Sequence, residues 1–545
     1  MVAVPSWLPL MQLAILATAI ASVLLVWWFD QARGFGKTRR ERLLLGIPWG
    51  TLVSILLVLG VYLFVQDGWG HWFAPVVIPY RSWSYLYPLG IATSAFTHNG
   101  VAHLTGNLIG TIVLGSLAEF AWGHYPTDRG RQTFSSLRAN PYVRAFLVVP
   151  GVVVVVGLLT SLFSWGPVIG FSGVVFAFAG LAFVRYPLLT VVALSADDVV
   201  DVVYRALQDP VVVARAEPSF GQPWWAGIAV QGHLLGLFLG LLIGAYAFRN
   251  RDEPSAARRW VGAVIVAGLL SLWAIWWFRG NAQYVLYRGL GVAFIFVLAG
   301  LITASLRVIH TDRTFYDVPW RVIGTLALVF PILVIGFVAV PLNLGTGSQD
   351  DIAGDRPTVE VRDYSITYAE NVTNRQTSIV NFSIFGETTA IRSSGVIVRS
   401  EPRQIWTPAV SKSRLAFAGR ARVHVGGLGW RESITVTRQG WSLVGNGTAY
   451  RVWLREPSGN WKQAYRSQPA FAEPTLAGKK VGVHPRQLGF YLELRENNST
   501  VAIMPMPRHN TSVSGAGITV SRNRSRLIAS FNRTTLTIAK RESYR

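Results

Sequence analysis

The segment His98-Asn99-Gly100-Val101-Ala102-His103-Leu104-Thr105-Gly106-Asn107 leads into an apolar run ending at Trp122, and the fold turns on how it is read. Two histidines and an amide stand at the mouth of a membrane-length helix. Polar side chains there are costly and need partners or a water-filled cavity. On a helix, His103 and Asn107 are four residues apart and share a face. Packing in lipid requires neither, so the segment reads as one wall of a functional site. The candidate partners lie downstream: Ser172 in Gly170-Phe171-Ser172-Gly173, and His233 in Gly232-His233-Leu234-Leu235-Gly236.

Composition supports a membrane setting. Of 545 residues, 51% are hydrophobic and 14% charged. Up to Leu344, apolar runs alternate with short basic clusters; beyond it no run approaches the roughly 20 apolar residues needed to cross a bilayer. This predicts a polytopic α-helical membrane protein followed by a soluble domain of about 200 residues. The absence of cysteine excludes disulfides, thiol catalysis and thiolate metal sites. The net charge of +22 invites a nucleic-acid reading. Cytoplasm-facing arginines and a basic tail account for it without one, and no nucleic-acid partner is expected.

In chain order, the expected spans cover residues 8–29, 43–65, 101–122, 145–163, 170–185, 188–207, 224–248, 260–278, 287–306 and 322–341. Arginines place the cytoplasmic loops: Arg33, Arg39, Arg40 and Arg42; Arg129, Arg131, Arg138 and Arg144; Arg249, Arg251, Arg258 and Arg259; Arg307, Arg313 and Arg321. Residues 66–97, rich in Trp, Tyr, Pro and Gly, read as a partly embedded outer loop. The span at 188–207 is anomalous, because Asp197, Asp198 and Asp201 belong in a polar cavity or in a span that frays into a loop. About ten spans put everything after Leu344 outside the cytoplasm. Eight Asn-x-Ser/Thr acceptors in the tail, at Asn371, Asn381, Asn446, Asn497, Asn498, Asn510, Asn523 and Asn532, agree with that side. The tail itself reads as all-β, a β-sandwich, from short strand-forming segments such as 395–399 and 448–454 punctuated by Gly, Pro, Asn and Ser. The expected division is 1–42 (extra span and basic loop), 43–248 (core), 249–344 (three further spans) and 345–545 (extracytoplasmic β domain).

The chemistry follows from residue types. A serine hydroxyl is a weak nucleophile until a base takes its proton. His233 is such a base, predicted at a similar depth near the outer face. Gly236, Gly240 and Gly244 follow it at four-residue spacing, a small-residue stripe that lets two membrane helices touch backbone to backbone. If the stripe meets Gly173 and Ala177, His233 reaches Ser172. Asn107, His103 and the Ser172 backbone N–H then supply donors for an oxyanion. Each feature also has a bland reading. Gly-x-Ser-Gly and a glycine stripe are packing motifs, a lone histidine bonds a helix carbonyl, and His98 pins the outer loop. Topology favours the joint reading, since all the candidates fall at the outer ends of spans. Two other classes compete, a transporter and a catalytically inactive binding protein. No metal is expected, because His98 and His103 are five apart and share no ligating face, and no cofactor is implied.

Taken together, the His-x-x-x-x-His-x-x-x-Asn segment, Gly-x-Ser-Gly and the His followed by small residues resemble the rhomboid family of intramembrane serine proteases. The resemblance covers residues 43–248, a six-span core. It implies a serine endopeptidase with Ser172 as nucleophile, His233 as general base, and Asn107, His103 and His98 as oxyanion and supporting residues. Its substrates would be transmembrane proteins within the lipid bilayer of the cell membrane, cleaved near the outer face. Glu119 falls where the family has a structural glutamate. The family's Trp-Arg pair of the first outer loop is absent as such, with Arg81 and Trp83 in that region. The resemblance is silent on the first span, the last three and the β domain, for which surface partners or substrate recognition are the expectation.

Overall fold

In the computed structural model, residues 9–31, 35–125, 136, 137, 139–211, 229–249, 255–271, 275–280, 283–345, 356–374, 383, 384, 387, 388 and 391–545 are described. Several sequence markers lie outside them: Arg33, Arg129, Arg131, Arg138, Arg251, the start of the expected span at Trp224, and Asn381. The chain divides into two compact units, Met1–Trp277 with Val285–Gly345, and Phe278–Tyr284 with Thr346–Arg545.

The first unit is helical. Its longer helices are α1 (Leu10–Gln31), α2 (Trp49–Val65), α3 (Val101–Trp122), α4 (Pro141–Phe163), α5 (Ser172–Arg185), α6 (Pro187–Leu194), α7 (Ala196–Gln208), α8 (Val230–Phe248), α9 (Ala257–Ser271), α10 (Arg288–Ile309) and α11 (Trp320–Gly345). Among the described residues five of these, α3, α4, α8, α10 and α11, are long and apolar enough to cross a membrane. The chain is therefore a helical membrane protein with a β-rich C-terminal region.

Two expected spans take a different form. Residues 188–207 do not make one helix; the chain breaks at Ser195 between α6 and α7. In α7 the acidic positions and Arg205 fall within one arc of the helical wheel, and the valines and Tyr204 fall on the rest. Asp198 and Asp201 are exposed, and Asp201 pairs with Arg205 at 2.8 Å. Carboxylates are too costly inside hydrocarbon, so this segment forms an amphipathic helix. The run 260–278 also stops short: α9 ends at Ser271, and Ile275–Gly280 is a strand paired with Gln283–Tyr287. Aromatic and β-branched residues around Gly280 favour that hairpin over a further helical turn.

The helices are held together by close backbone approach and by buried polar clamps. A Cβ on Gly236 would land on the Gly173 carbonyl, and one on Gly240 on the Ala177 carbonyl. The stripe on α8 therefore lies against α5 in the register that the spacing predicts. At the other end of α3, Glu119 is 2% exposed. It accepts from Gly50 N and Thr51 N, each at 2.8 Å, from Thr51 Oγ1 at 2.7 Å, and pairs with His124 at 2.5 Å. It thus satisfies free N–H groups in the first turn of α2, which a carboxylate does well, and a structural role for Glu119 follows. The carboxyl end of α11 docks onto the same unit. Asn343 is fully buried and donates through Nδ2 to Leu162 O at 3.2 Å and Ser164 O at 2.9 Å. Its own carbonyl accepts from Ser84 Oγ at 3.0 Å.

The second unit is antiparallel β-structure. One sheet is ordered Ile405–Ser411, Arg392–Ser400, Tyr364–Thr373, Val359–Val361. The largest runs Trp461–Arg466, Thr448–Arg455, Trp430–Leu443, Thr534–Arg541, Arg526–Phe531, Ile518–Asn523, Ser512–Gly515, with Arg420–Gly427 also on Trp430–Leu443. A third contains the four strands between Ala470 and Pro505. Trp441, Ile518 and Ile538 of the largest sheet share one buried core with Val483, Leu492 and Leu494 of the third. The Asn-rich turns explain the acceptor motifs in another way. Asn371, Asn446, Asn497, Asn498, Asn510 and Asn532 all have φ between 48° and 71°, a left-handed conformation that asparagine tolerates well.

Candidate active site

Ser172 is the first residue of α5, so the backbone N–H groups beside it have no acceptor within the helix and the dipole there is positive. Gly170 precedes it with φ 124°, a conformation open to glycine, and its N–H donates to Ser94 O at 2.8 Å. A Cβ at this position would strike the His103 ring, 2.7 Å from Nε2, and stand 3.5 Å from Asn107 Nδ2. Gly170 thus lets His103 and Asn107 of α3 approach the backbone entering the serine.

Across α5, His233 Nε2 lies 2.7 Å from Ser172 Oγ. The glycine contacts below the pair fix this distance, because they leave α8 no freedom to stand off. Phe176, one turn after Ser172, stacks on the His233 imidazole with centroids 4.4 Å apart and planes within 13°. Its i+4 spacing from Ser172 was a legible signal that the sequence reading missed.

All five sequence candidates converge on one place. Asn107 is 7% exposed and its Nδ2 has no partner among the described residues. His103 Nδ1 is likewise buried without a partner. His98 is fully buried, its two ring nitrogens unpartnered among the described residues, and its ring stands edge-on to His103 with centroids 5.1 Å apart. The backbone of His98 is clamped by Gln66, which accepts from His98 N at 2.7 Å and donates to His98 O at 2.8 Å. Gln66, at the end of α2, carries no sequence signal for this task. In the segment between α2 and α3, Arg81 donates to Asn99 Oδ1 at 2.7 Å, and the Trp83 indole donates to Ile78 O at 2.6 Å.

Beside the pair lies a cavity of about 20 Å³ bordered by Thr160, Ser161, Ser164, Gly170, Ser172 and His233. That is room for one water among hydroxyls able to hold it. Among the described residues no three His, Asp or Glu side chains converge as a metal site would require.

A serine hydroxyl within hydrogen-bond distance of an imidazole, on two helices in backbone contact, is an arrangement whose chemistry can support acyl transfer. Residues 86–250 match the family model for the rhomboid domain, so this stretch of the chain is a rhomboid domain. The match holds Asn107, Ser172 and His233 but begins after residues 43–85, which the sequence resemblance had included. Rhomboid proteins are typically intramembrane serine proteases, and inactive members exist. Comparison with curated proteins and with solved structures gave no match.

Proposed function

We propose that this protein is an intramembrane serine endopeptidase that cleaves transmembrane substrates near the outer membrane face. The observation carrying the reading is the 2.7 Å approach of His233 Nε2 to Ser172 Oγ. His233 takes the hydroxyl proton as Ser172 Oγ attacks the scissile carbonyl, then passes it to the leaving amine. Asn107 Nδ2, His103 and the Ser172 N–H receive the oxyanion, and His98 supports His103. Water from the adjacent cavity, activated by the same imidazole, releases the acyl group. The substrate backbone must be extended to reach Ser172, so Gly or Pro near the scissile bond favours cleavage.

A multi-pass topology in the cell membrane, with the β domain outside the cytoplasm, goes with this activity. The functional division remains 1–42, 43–248, 249–344 and 345–545.

The test is cleavage of a single-span substrate in liposomes by the purified protein, beside Ser172→Ala and His233→Ala. Loss of cleavage in both folded variants supports the dyad. Cleavage that survives Ser172→Ala removes it. Absence of cleavage by the wild type, together with no fluorophosphonate labelling at Ser172, favours an inactive rhomboid-like binding protein.

A further inference from the structure

We propose that the C-terminal β region binds an acidic polysaccharide in a cavity on one face of its largest sheet. The proposal rests on this unit alone and is independent of the protease reading.

The cavity has a volume of about 650 Å³, within the roughly 300–1,000 Å³ usual for small-ligand sites. Strand register builds its wall. Arg420 stands opposite Thr437, and Thr437 opposite Trp453, which places the three side chains in a row across adjacent strands. Gln439, two residues beyond Thr437, shares that face. Trp461 pairs with Arg455, two residues beyond Trp453, and so belongs to the same face; Arg541, exposed at the end of its strand, lines the cavity beside them. All six of these residues, the arginines, indoles, Thr437 and Gln439, border the cavity.

The charge there is not neutralised. Arg420 and Arg541 make no ion pair among the described residues. The nearby Glu542 is already engaged by Arg438, at 2.6 and 3.0 Å, and by the Tyr544 hydroxyl at 2.9 Å. Between Thr437 and Gln439, the Arg438 side chain alternates to the opposite face and is taken up by Glu542 there. Residues 346–545 as a whole carry 28 Lys and Arg against 14 Asp and Glu, a balance that attracts polyanions. Guanidinium forks match carboxylate or sulfate groups.

The remaining residues choose among polyanions. The Trp453 and Trp461 indoles offer flat apolar area to the C–H face of a sugar ring, and Trp461 is 46% exposed. Thr437 and Gln439 offer neutral hydrogen bonds to hydroxyls. An extended acidic peptide is recognised through its backbone at a sheet edge, and would leave this face unused. A nucleic-acid strand binds along a groove that tracks many phosphates, whereas the free charge at this site comes from Arg420 and Arg541.

The experiment titrates the detergent-solubilised full chain, by calorimetry and tryptophan emission, with four hexamers: galacturonate, neutral maltohexaose, glutamate and thymidylate. Galacturonate is expected to saturate a single site. Arg420→Gln or Arg541→Gln should weaken it about tenfold, the loss expected of one charge-assisted hydrogen bond. Trp461→Ala should weaken it several-fold while circular dichroism stays unchanged. Absence of saturable galacturonate binding overturns the proposal. Equal binding of the peptide or the oligonucleotide, or galacturonate affinity indifferent to the arginine variants, overturns it as well.

Discussion

The side-chain amide of Asn343, at the carboxyl end of the last membrane helix, donates to the backbone carbonyl of Ser164 over 2.9 Å. Ser164 borders the cavity beside the serine–histidine pair, and its hydroxyl lies 2.9 Å from where a Cβ on Gly232, the residue before His233, would stand. A residue outside the rhomboid match at 86–250 therefore braces the loop against which the imidazole is set. Asn343→Ala is expected to leave the Leu162 and Ser164 carbonyls without this donor and to cost about 2–4 kcal/mol. Thermal unfolding of the membrane unit and cleavage rate should both fall. Unchanged cleavage with a lowered melting temperature would assign Asn343 to stability alone.

The stacking of Phe176 on His233 predicts a kinetic effect separable from folding. Phe176→Ala frees the ring to rotate away from Ser172 and should lower kcat about tenfold, a loss of roughly 1.4 kcal/mol in transition-state stabilisation. Phe176→Tyr keeps the stack and should retain most activity. Steady-state cleavage in liposomes distinguishes the two.

Backbone contact between α5 and α8 leaves no room for side chains at the stripe. Gly236→Val and Gly240→Val should each destabilise the protein by about 3 kcal/mol or more, since a Cβ meets a carbonyl oxygen that belongs to the opposite helix. Gly244→Ala should be milder. Its Cβ would meet a Val184 methyl at 2.9 Å and the Leu181 carbonyl at 3.1 Å, against 2.0 Å to a carbonyl at each of the other two. Unfolding followed in detergent with increasing sodium dodecyl sulfate reports the order.

Glu119 supplies another stability test. Removing its carboxylate leaves Gly50 N, Thr51 N and His124 unsatisfied, so Glu119→Ala should cost about 3–5 kcal/mol although the residue is distant from Ser172. Loss of the folded protein on expression, rather than loss of catalysis in a folded one, is the expected phenotype.

In the β region, burial would raise the Asp363 carboxyl, but hydrogen bonds from Arg403 and Ser400 outweigh it and hold the group below the ordinary carboxylate range. The folded state thus binds a proton less readily than the unfolded one. The stabilisation is present above the ordinary carboxylate value and is lost as pH falls through the lower folded value. Asp363→Asn should therefore destabilise the β region by about 2 kcal/mol at neutral pH, and the gap should close in strong acid. Melting temperatures of wild type and variant between pH 2 and 7 check this.

Much of this arrangement was legible along the chain. Hydropathy runs located the five helices long and apolar enough to cross a membrane, because backbone in lipid must satisfy its own hydrogen bonds and a span has a minimum length. The four-residue spacings of His103 with Asn107, and of Gly236 with Gly240 and Gly244, announced shared helix faces. The choice of Gly173 and Ala177 as the surface opposite that stripe agrees with the close contacts between α5 and α8. Hydropathy alone did not show the break at Ser195. Asp197, Asp198 and Asp201 marked 188–207 as anomalous in the sequence, but the position of the break between α6 and α7 is a property of the folded chain.

What only the tertiary structure decided are the contacts between residues far apart in sequence. Gln66 clamping the backbone of His98, Asn343 reaching Ser164, and Arg420, Trp453 and Arg541 meeting at one cavity leave no local pattern. Periodicity records which side of an element is buried, but not which distant element covers it. That pairing is set by the packing of whole helices and strands, where one amide or guanidinium satisfies another segment's backbone or charge.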